Sequence, residues 1–232
     1  MNKNSLLFGI YCAPLAFILI GIGWAGFAGF VPPPLPTTSA AEIANIFANR
    51  HTGILFGCVL TAFAAGGPFL VFVATISAFM TRMERGLPIL TFAQLVCGLF
   101  TGIVMMVSAM VWIAAAFRPE RAPDLIQSYN DFAWLFVLSP FSFGVLQNCV
   151  IGIAILGDKS TQPLFPRWVA YFNFWTAFLY CPAGLIPFFM AGPFAWNGLL
   201  SFWLVLVVFG AWTVIMPWAM LQALKRLPAA IE

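Results

Sequence analysis

The residues able to do acid–base or metal chemistry in this 232-residue chain are few and badly spaced for it. There is one histidine, His51. A haem held by two histidines within the chain is therefore impossible, and so is a histidine-rich di-iron site. A Ser-His-Asp arrangement would have to use His51 with Asp124 or Asp131, and no GxSxG nucleophile elbow accompanies them. Cys12, Cys58, Cys97, Cys149 and Cys181 stand singly in apolar sequence, with no CxxC or Cys/His cluster. They read as small buried hydrophobes. The sequence thus predicts no catalytic residue, no metal ligand set and no cofactor, and leans away from an enzyme.

Uncharged polar groups remain. Gln147-Asn148 sits in the middle of one long apolar run, and Asn173, Thr176 and Tyr180, with the ring of Trp175, lie in the next. An amide in hydrocarbon must find a partner, because an unmade hydrogen bond there costs several kcal/mol. Two uses are open: hydrogen-bonded glue between helices, or a polar spot in a largely apolar pocket, to which Tyr11 would add a hydroxyl. The 26 Phe and 9 Trp among 39 aromatic residues suit lipid contact, and equally suit a pocket for a flat apolar molecule.

These groups are set in a chain that is 62% hydrophobic and 7% charged, with a mean hydropathy of +0.99. Soluble domains carry roughly 25% charged residues; a chain this poor in charge is solvated by lipid. Six apolar segments are long enough for the about 20 helical residues that cross a bilayer core. They cover 6–31, 52–80, 87–117, 132–157, 168–192 and 198–222. They lack the short alternating pattern of membrane barrel strands. The first is too long for the roughly 7–15-residue core of a signal peptide and reads as a retained span. The expected fold is all-α: one polytopic transmembrane domain, a bundle of six helices.

Every charged residue falls at a terminus or in a connection. With the N-terminus inside, Lys3, Arg82, Arg85, Lys159, Arg167, Lys225 and Arg226 collect on the inner side, against Arg50, Arg118 and Arg121 outside. Seven against three obeys the positive-inside rule and predicts both termini in the cytoplasm. A net charge of +3 with no basic run beyond Lys225-Arg226 offers no footprint for nucleic acid. Trp24, Trp112, Trp134 and Trp196 near outer ends, with Trp168 and Trp218 near inner ones, read as interfacial belts.

The outer connections are the richer ones. Pro32-Pro33-Pro34-Leu35-Pro36 must be extended. Ser39-Ala40-Ala41-Glu42 has the form of a capping box, followed by Ile43, Ile46, Phe47 and Arg50 at helical spacing. This predicts a short outer amphipathic helix over 39–50, lying in the interface. In the second connection Asp124 is placed to cap a short helix. Arg50, His51, Arg118, Asp131, Trp196 and Asn197 form the candidate outer mouth, with the amphipathic helix as its lid. Pro14, Pro68, Pro140, Pro182, Pro187 and Pro217 mark expected helix breaks or kinks.

Phe117-Arg118-Pro119, Pro166-Arg167-Trp168 and Gly192-Pro193-Phe194-Ala195-Trp196-Asn197-Gly198 resemble stretches of bacterial membrane proteins without an assigned function. The resemblance implies a bacterial cytoplasmic membrane and transfers no residue role. Two functional expectations follow. One is a non-catalytic protein that binds or moves a hydrophobic small molecule or lipid through an aromatic-lined cavity bounded by segments four to six. The other is an accessory subunit or assembly factor contacting other membrane subunits.

Overall fold

The computed structural model describes residues 3–84 and 86–226; the inner-side Arg85 lies outside them. The described residues are all helical or loop, with no strand, and six helices are long and apolar enough to cross a membrane. Span one joins α1 (Lys3–Gly21) to a π-helical turn (Ile22–Ala28). The short helix α2 (Ala40–Asn49) precedes span two, made of α3 (His51–Gly66) and α4 (Pro68–Met80). Span three is α5 (Ile89–Ala116), and span four joins α6 (Pro123–Leu138) to α7 (Ser142–Gly157). Span five is α8 (Arg167–Tyr180) continued by a 3-10 helix (Cys181–Phe188). Span six opens with a π turn (Leu199–Trp203) and runs on as α9 (Leu204–Arg226).

The prolines act unequally. Pro68 starts α4 beside Gly67, Pro140 separates α6 from α7, and Pro182 and Pro187 sit in the 3-10 stretch. Helices α1 and α9 continue through Pro14 and Pro217, so two of the six expected interruptions do not break the helix. Span five is shorter than its apolar run because α-helix ends at Tyr180. A 3-10 helix rises about 2.0 Å per residue against about 1.5 Å in an α-helix. Its two parts therefore reach roughly 37 Å, enough for the core.

Span four differs at its start. Helix α6 begins at Pro123, nine residues before the apolar run, because Pro suits the first helical position and Asp124 then complements the helix dipole. Ala122, not Asp124, is the N-cap residue. In α2 the capping box is present: the Glu42 amide donates to Ser39 Oγ at 3.4 Å, and the Ser39 amide donates to Glu42 Oε2 at 3.1 Å. Ile43 and Phe47 are buried, and Glu42, Asn45 and Asn49 exposed.

Spans one and two meet backbone to backbone. Gly53 and Gly57 on α3 form a Gly-x-x-x-Gly pair, the small-residue device that lets membrane helices approach closely. A Cβ on Gly23 would stand 2.6 Å from the Gly57 carbonyl oxygen, and a Cβ on Gly57 would collide with that of Gly23. Gly29 ends the π turn at φ +67°, a left-handed conformation natural only to glycine. The Arg50 guanidinium lies where its Cβ would be, a cation against a helix C-terminus.

The two loops on the face shared by the termini are held by carboxylates. Glu84 accepts from the amides of Leu90 (2.9 Å) and Thr91 (2.7 Å) at the start of α5, and Asp158 accepts from those of Ser160 and Leu164, both at 3.0 Å. We call the opposite face, carrying the connections 29–39, 117–122 and 189–198, the loop-rich face.

Gly57→Val is expected to lower the thermal unfolding midpoint in detergent by the equivalent of about 1–3 kcal/mol, the usual cost of overpacking. Gly21→Ala is expected to leave it undiminished, since a Cβ there meets nothing within 4 Å; a circular dichroism melt of both variants checks the pair.

Candidate functional site: an apolar cavity between two cores

The buried side chains fall into two clusters. One, toward the termini, contains Phe69, Phe72, Phe79, Phe165, Trp212 and Met216. The other, toward the loop-rich face, contains Trp24, Phe30, Phe47, Trp112, Trp134 and Phe202. Between them lies a partly open cavity of about 140 Å³.

All six spans reach it. Phe17, Ile20 and Trp24 come from span one, Phe69 from span two, and Thr101, Val104 and Met105 from span three. Span four contributes Val137, Leu138 and the stretch around Phe141, Gly144, Gln147 and Asn148. Tyr180 and Ala183 come from span five; Phe202, Leu206, Phe209 and Trp212 come from span six. No Lys, Arg, His, Asp or Glu is among the lining residues. The breaks in the helices fall here: Pro140 and Ala183 both line the space, and each π turn sends one aromatic residue to it, Trp24 and Phe202.

Toward the loop-rich face the space is bounded by an aromatic hub. Trp24, Trp112 and Trp134 pack mutually edge to face, with centroids 5.7, 5.7 and 4.9 Å apart. Phe30 closes on Trp112 at 4.9 Å, and Phe47 of α2 lies 6.3 Å from Phe30. Each aromatic pair adds about 0.5–1.5 kcal/mol beyond burial. All three indole Nε1 atoms are buried without a hydrogen-bond acceptor; edge-to-face packing offers such donors an aromatic π face. Trp24, Trp112, Trp134 and Trp196 are thus interior residues rather than an interfacial belt, whereas Trp168 and Trp218 are exposed and adjacent at 5.6 Å. A tryptophan near a helix end packs inward when its face of the helix does.

Both amides of the lining come from α7. Gln147 and Asn148 are 3% and 2% exposed. The Asn148 Nδ2 donates to the Gly144 carbonyl at 2.8 Å, and its Oδ1 has no donor. Gln147 Nε2 has no acceptor; Gly98 makes room for it, since a Cβ there would stand 2.7 Å away. The Tyr180 ring passes over Gly144, where a Cβ would approach it to 3.0 Å.

The other candidates are placed elsewhere. Asn173 is glue: it donates to the Val169 carbonyl (2.8 Å) and to Met216 Sδ (3.5 Å), and accepts from Trp212 Nε1 (3.1 Å). It holds α8 against α9 directly behind the Trp212 wall. Thr176 is buried with its hydroxyl unpartnered but does not line the cavity. Trp175, 62% exposed, points outward beside Tyr171, Phe174 and Phe178, and Tyr11 is also exposed.

None of Arg50, His51, Arg118, Asp131, Trp196 and Asn197 lines the cavity. They lie in the connections or in the helix ends beside them, Asp131 within α6 and His51 opening α3, and two side-chain to backbone bonds tie this region together. Trp196 Nε1 donates to the Pro34 carbonyl at 2.8 Å, and Gln127 Nε2 donates to that of Thr38 at 2.9 Å. Asp131 accepts from its neighbour Asn130 at 3.4 Å; His51 is half-buried at the start of α3 and Arg118 is exposed.

Comparison with known proteins finds no matching family model, no matching curated protein and no matching solved structure.

Asn173→Leu is expected to destabilise the protein by about 1–3 kcal/mol, because it strands the buried Trp212 donor as well as removing its own bonds. Asn148→Leu, which removes an already unpartnered oxygen and one bond within its own helix, is expected to cost markedly less. Parallel thermal melts distinguish the two amides.

Proposed function

We propose that this protein is a non-catalytic membrane protein that binds or translocates a hydrophobic small molecule or lipid in the cavity between its two cores. One observation carries the reading: a cavity of about 140 Å³, lined by side chains from all six spans and predominantly apolar, with the two amides of α7 among its few polar residues. Protein interiors pack to near-crystalline density, and a void of this size forfeits the contacts its lining would otherwise make. An apolar guest restores them. Recognition sites for small ligands have this composition, an apolar wall with a few placed polar groups.

The charge asymmetry of the connections supports a bacterial cytoplasmic membrane orientation with both termini inside and the loop-rich face outside. In that orientation α2 and the tied connections cover the outer end of the cavity. A C-terminal green fluorescent protein fusion is then expected to fluoresce and a C-terminal alkaline phosphatase fusion to be inactive; the opposite pair of results would invert the topology.

Gentle purification followed by solvent extraction and mass spectrometry is expected to yield a co-purifying apolar molecule near one per chain. Leu206→Trp, which adds bulk to the cavity wall, is expected to reduce that load at least tenfold while the protein still elutes as a folded species. Wild-type protein carrying nothing specific, or an unchanged load in the variant, would sink the reading.

A further inference from the structure

The six spans close around the cavity except at one place. Consecutive spans pack on one another in both halves of the bundle: one on two, two on three, three on four, four on five and five on six. Spans one and six complete the circuit only in the half toward the termini, where α1 packs on α9. There the Phe17 ring meets that of Phe209 at 6.0 Å between centroids, and Gly210 leaves room for it, since a Cβ would stand 2.9 Å from the same ring. Toward the loop-rich face the two spans part. The π turn of span one packs on α3, and that of span six packs on the 3-10 stretch of span five. Among the described residues the two turns form no comparable contact with each other.

Gly21 marks the gap. It follows Phe17 by four residues and precedes Trp24 by three, spacings that put residues on one helix face, so it lies on the stripe by which span one lines the cavity. It is exposed, and a Cβ added to it would meet nothing within 4 Å. On span six Val205 and Leu206, one turn beyond Phe209, line the cavity and are only half-buried. The gap is bridged before it reaches the loop-rich surface. Trp196, just before span six, donates from Nε1 to the carbonyl of Pro34, just after span one, at 2.8 Å. What remains is a window in the side of the bundle, with Phe17 and Phe209 at one end and this bond at the other.

We infer that the window admits one acyl chain of a bilayer phospholipid from the half of the membrane nearer the loop-rich face, its headgroup staying outside. This rests on the cavity reading above and gives it a guest and a route. The cavity, about 140 Å³, is close to the about 150 Å³ that holds a benzene ring, so it takes part of a lipid and not the whole. A side window lets the remainder stay in the bilayer. The lining has no Lys, Arg, His, Asp or Glu to pair a charged headgroup, and burying that charge unpaired is heavily penalised. Phe17, Ile20, Leu206 and Phe209 instead present hydrocarbon and rings to the chain.

The test uses the full chain in phosphatidylcholine nanodiscs with two photoreactive phosphatidylcholines, one with a diazirine at the end of an acyl chain and one with it beside the ester carbonyl. Labelled residues are mapped by tandem mass spectrometry. The chain-end probe is expected to label the cavity residues Trp24 and Leu206 at least fivefold more than the carbonyl-side probe. Gly21→Trp, which fills the window, is expected to cut that labelling at least fivefold, while Gly21→Ala keeps it. Labelling of the exposed Trp175 and Phe178 on span five is expected to stay unchanged in both variants, which reports an intact fold. Cavity residues labelled no more by the chain-end probe than by the other, or labelling indifferent to Gly21→Trp, overturns the window. In those cases a co-purifying load still lost in Leu206→Trp would leave the cavity reading standing with another entrance. If that load is also indifferent to Leu206→Trp, the cavity reading falls with the window.

Discussion

Hydrocarbon offers a polar atom nothing to bond to, and this constraint organises the molecule. Charged residues stay near the ends of the spans, so among the described residues the polar side chains deep inside are uncharged, amides, hydroxyls and indoles, and each gains by being answered by another part of the chain. Where the answer exists, the group becomes structure. Asn173 ties α8 to α9 through Trp212 and Met216, and the Ser77 hydroxyl donates to Gln94 between spans two and three. Some groups go unanswered: Gln147 and Asn148, each with one unpartnered atom, belong to the cavity wall, and Thr176 does not.

The void follows from how the spans are joined and broken. The Gly53-x-x-x-Gly57 contact draws the first two spans together at backbone distance, and the π turn that meets it places Trp24 in the interior rather than at its edge. Trp24 then packs with Trp112 and Trp134 into a rigid block that holds the loop-rich half apart from the aromatic core toward the termini. A break in span four, a 3-10 stretch in span five and a second π turn in span six fall around the same space. Local departures from α-geometry therefore cluster where the packing is incomplete.

Much of the fold was legible in the sequence because crossing a membrane depends on a one-dimensional property. Length and apolarity located six spans, and the capping box placed α2 to within a residue. What could not be read was which face of each span turns inward, since segments apolar on all sides carry no amphipathic signal. That is why Trp175 joined the candidates for the polar spot although it faces outward, and why Trp24 and Trp134 read as interfacial. The Gly53/Gly57 spacing was a usable signal for the contact between spans one and two. Of the cavity wall, Gln147, Asn148 and Tyr180 were legible because a polar group in an apolar run stands out by contrast. Their apolar partners from spans one to three were not, because nothing distinguishes a Phe facing a void from a Phe facing lipid.

Span five has one further property. Fourteen of its residues are wound as α-helix and the next eight as the tighter, longer 3-10 form. The reach of this span is consequently not fixed by its residue count: rewinding those eight residues as α-helix would shorten it by about 4 Å. Bilayers differ in thickness by a few Å, the same scale as that difference in length. Ala183 belongs to both the 3-10 stretch and the cavity wall, so the winding that sets the length of this span also sets part of the cavity's shape.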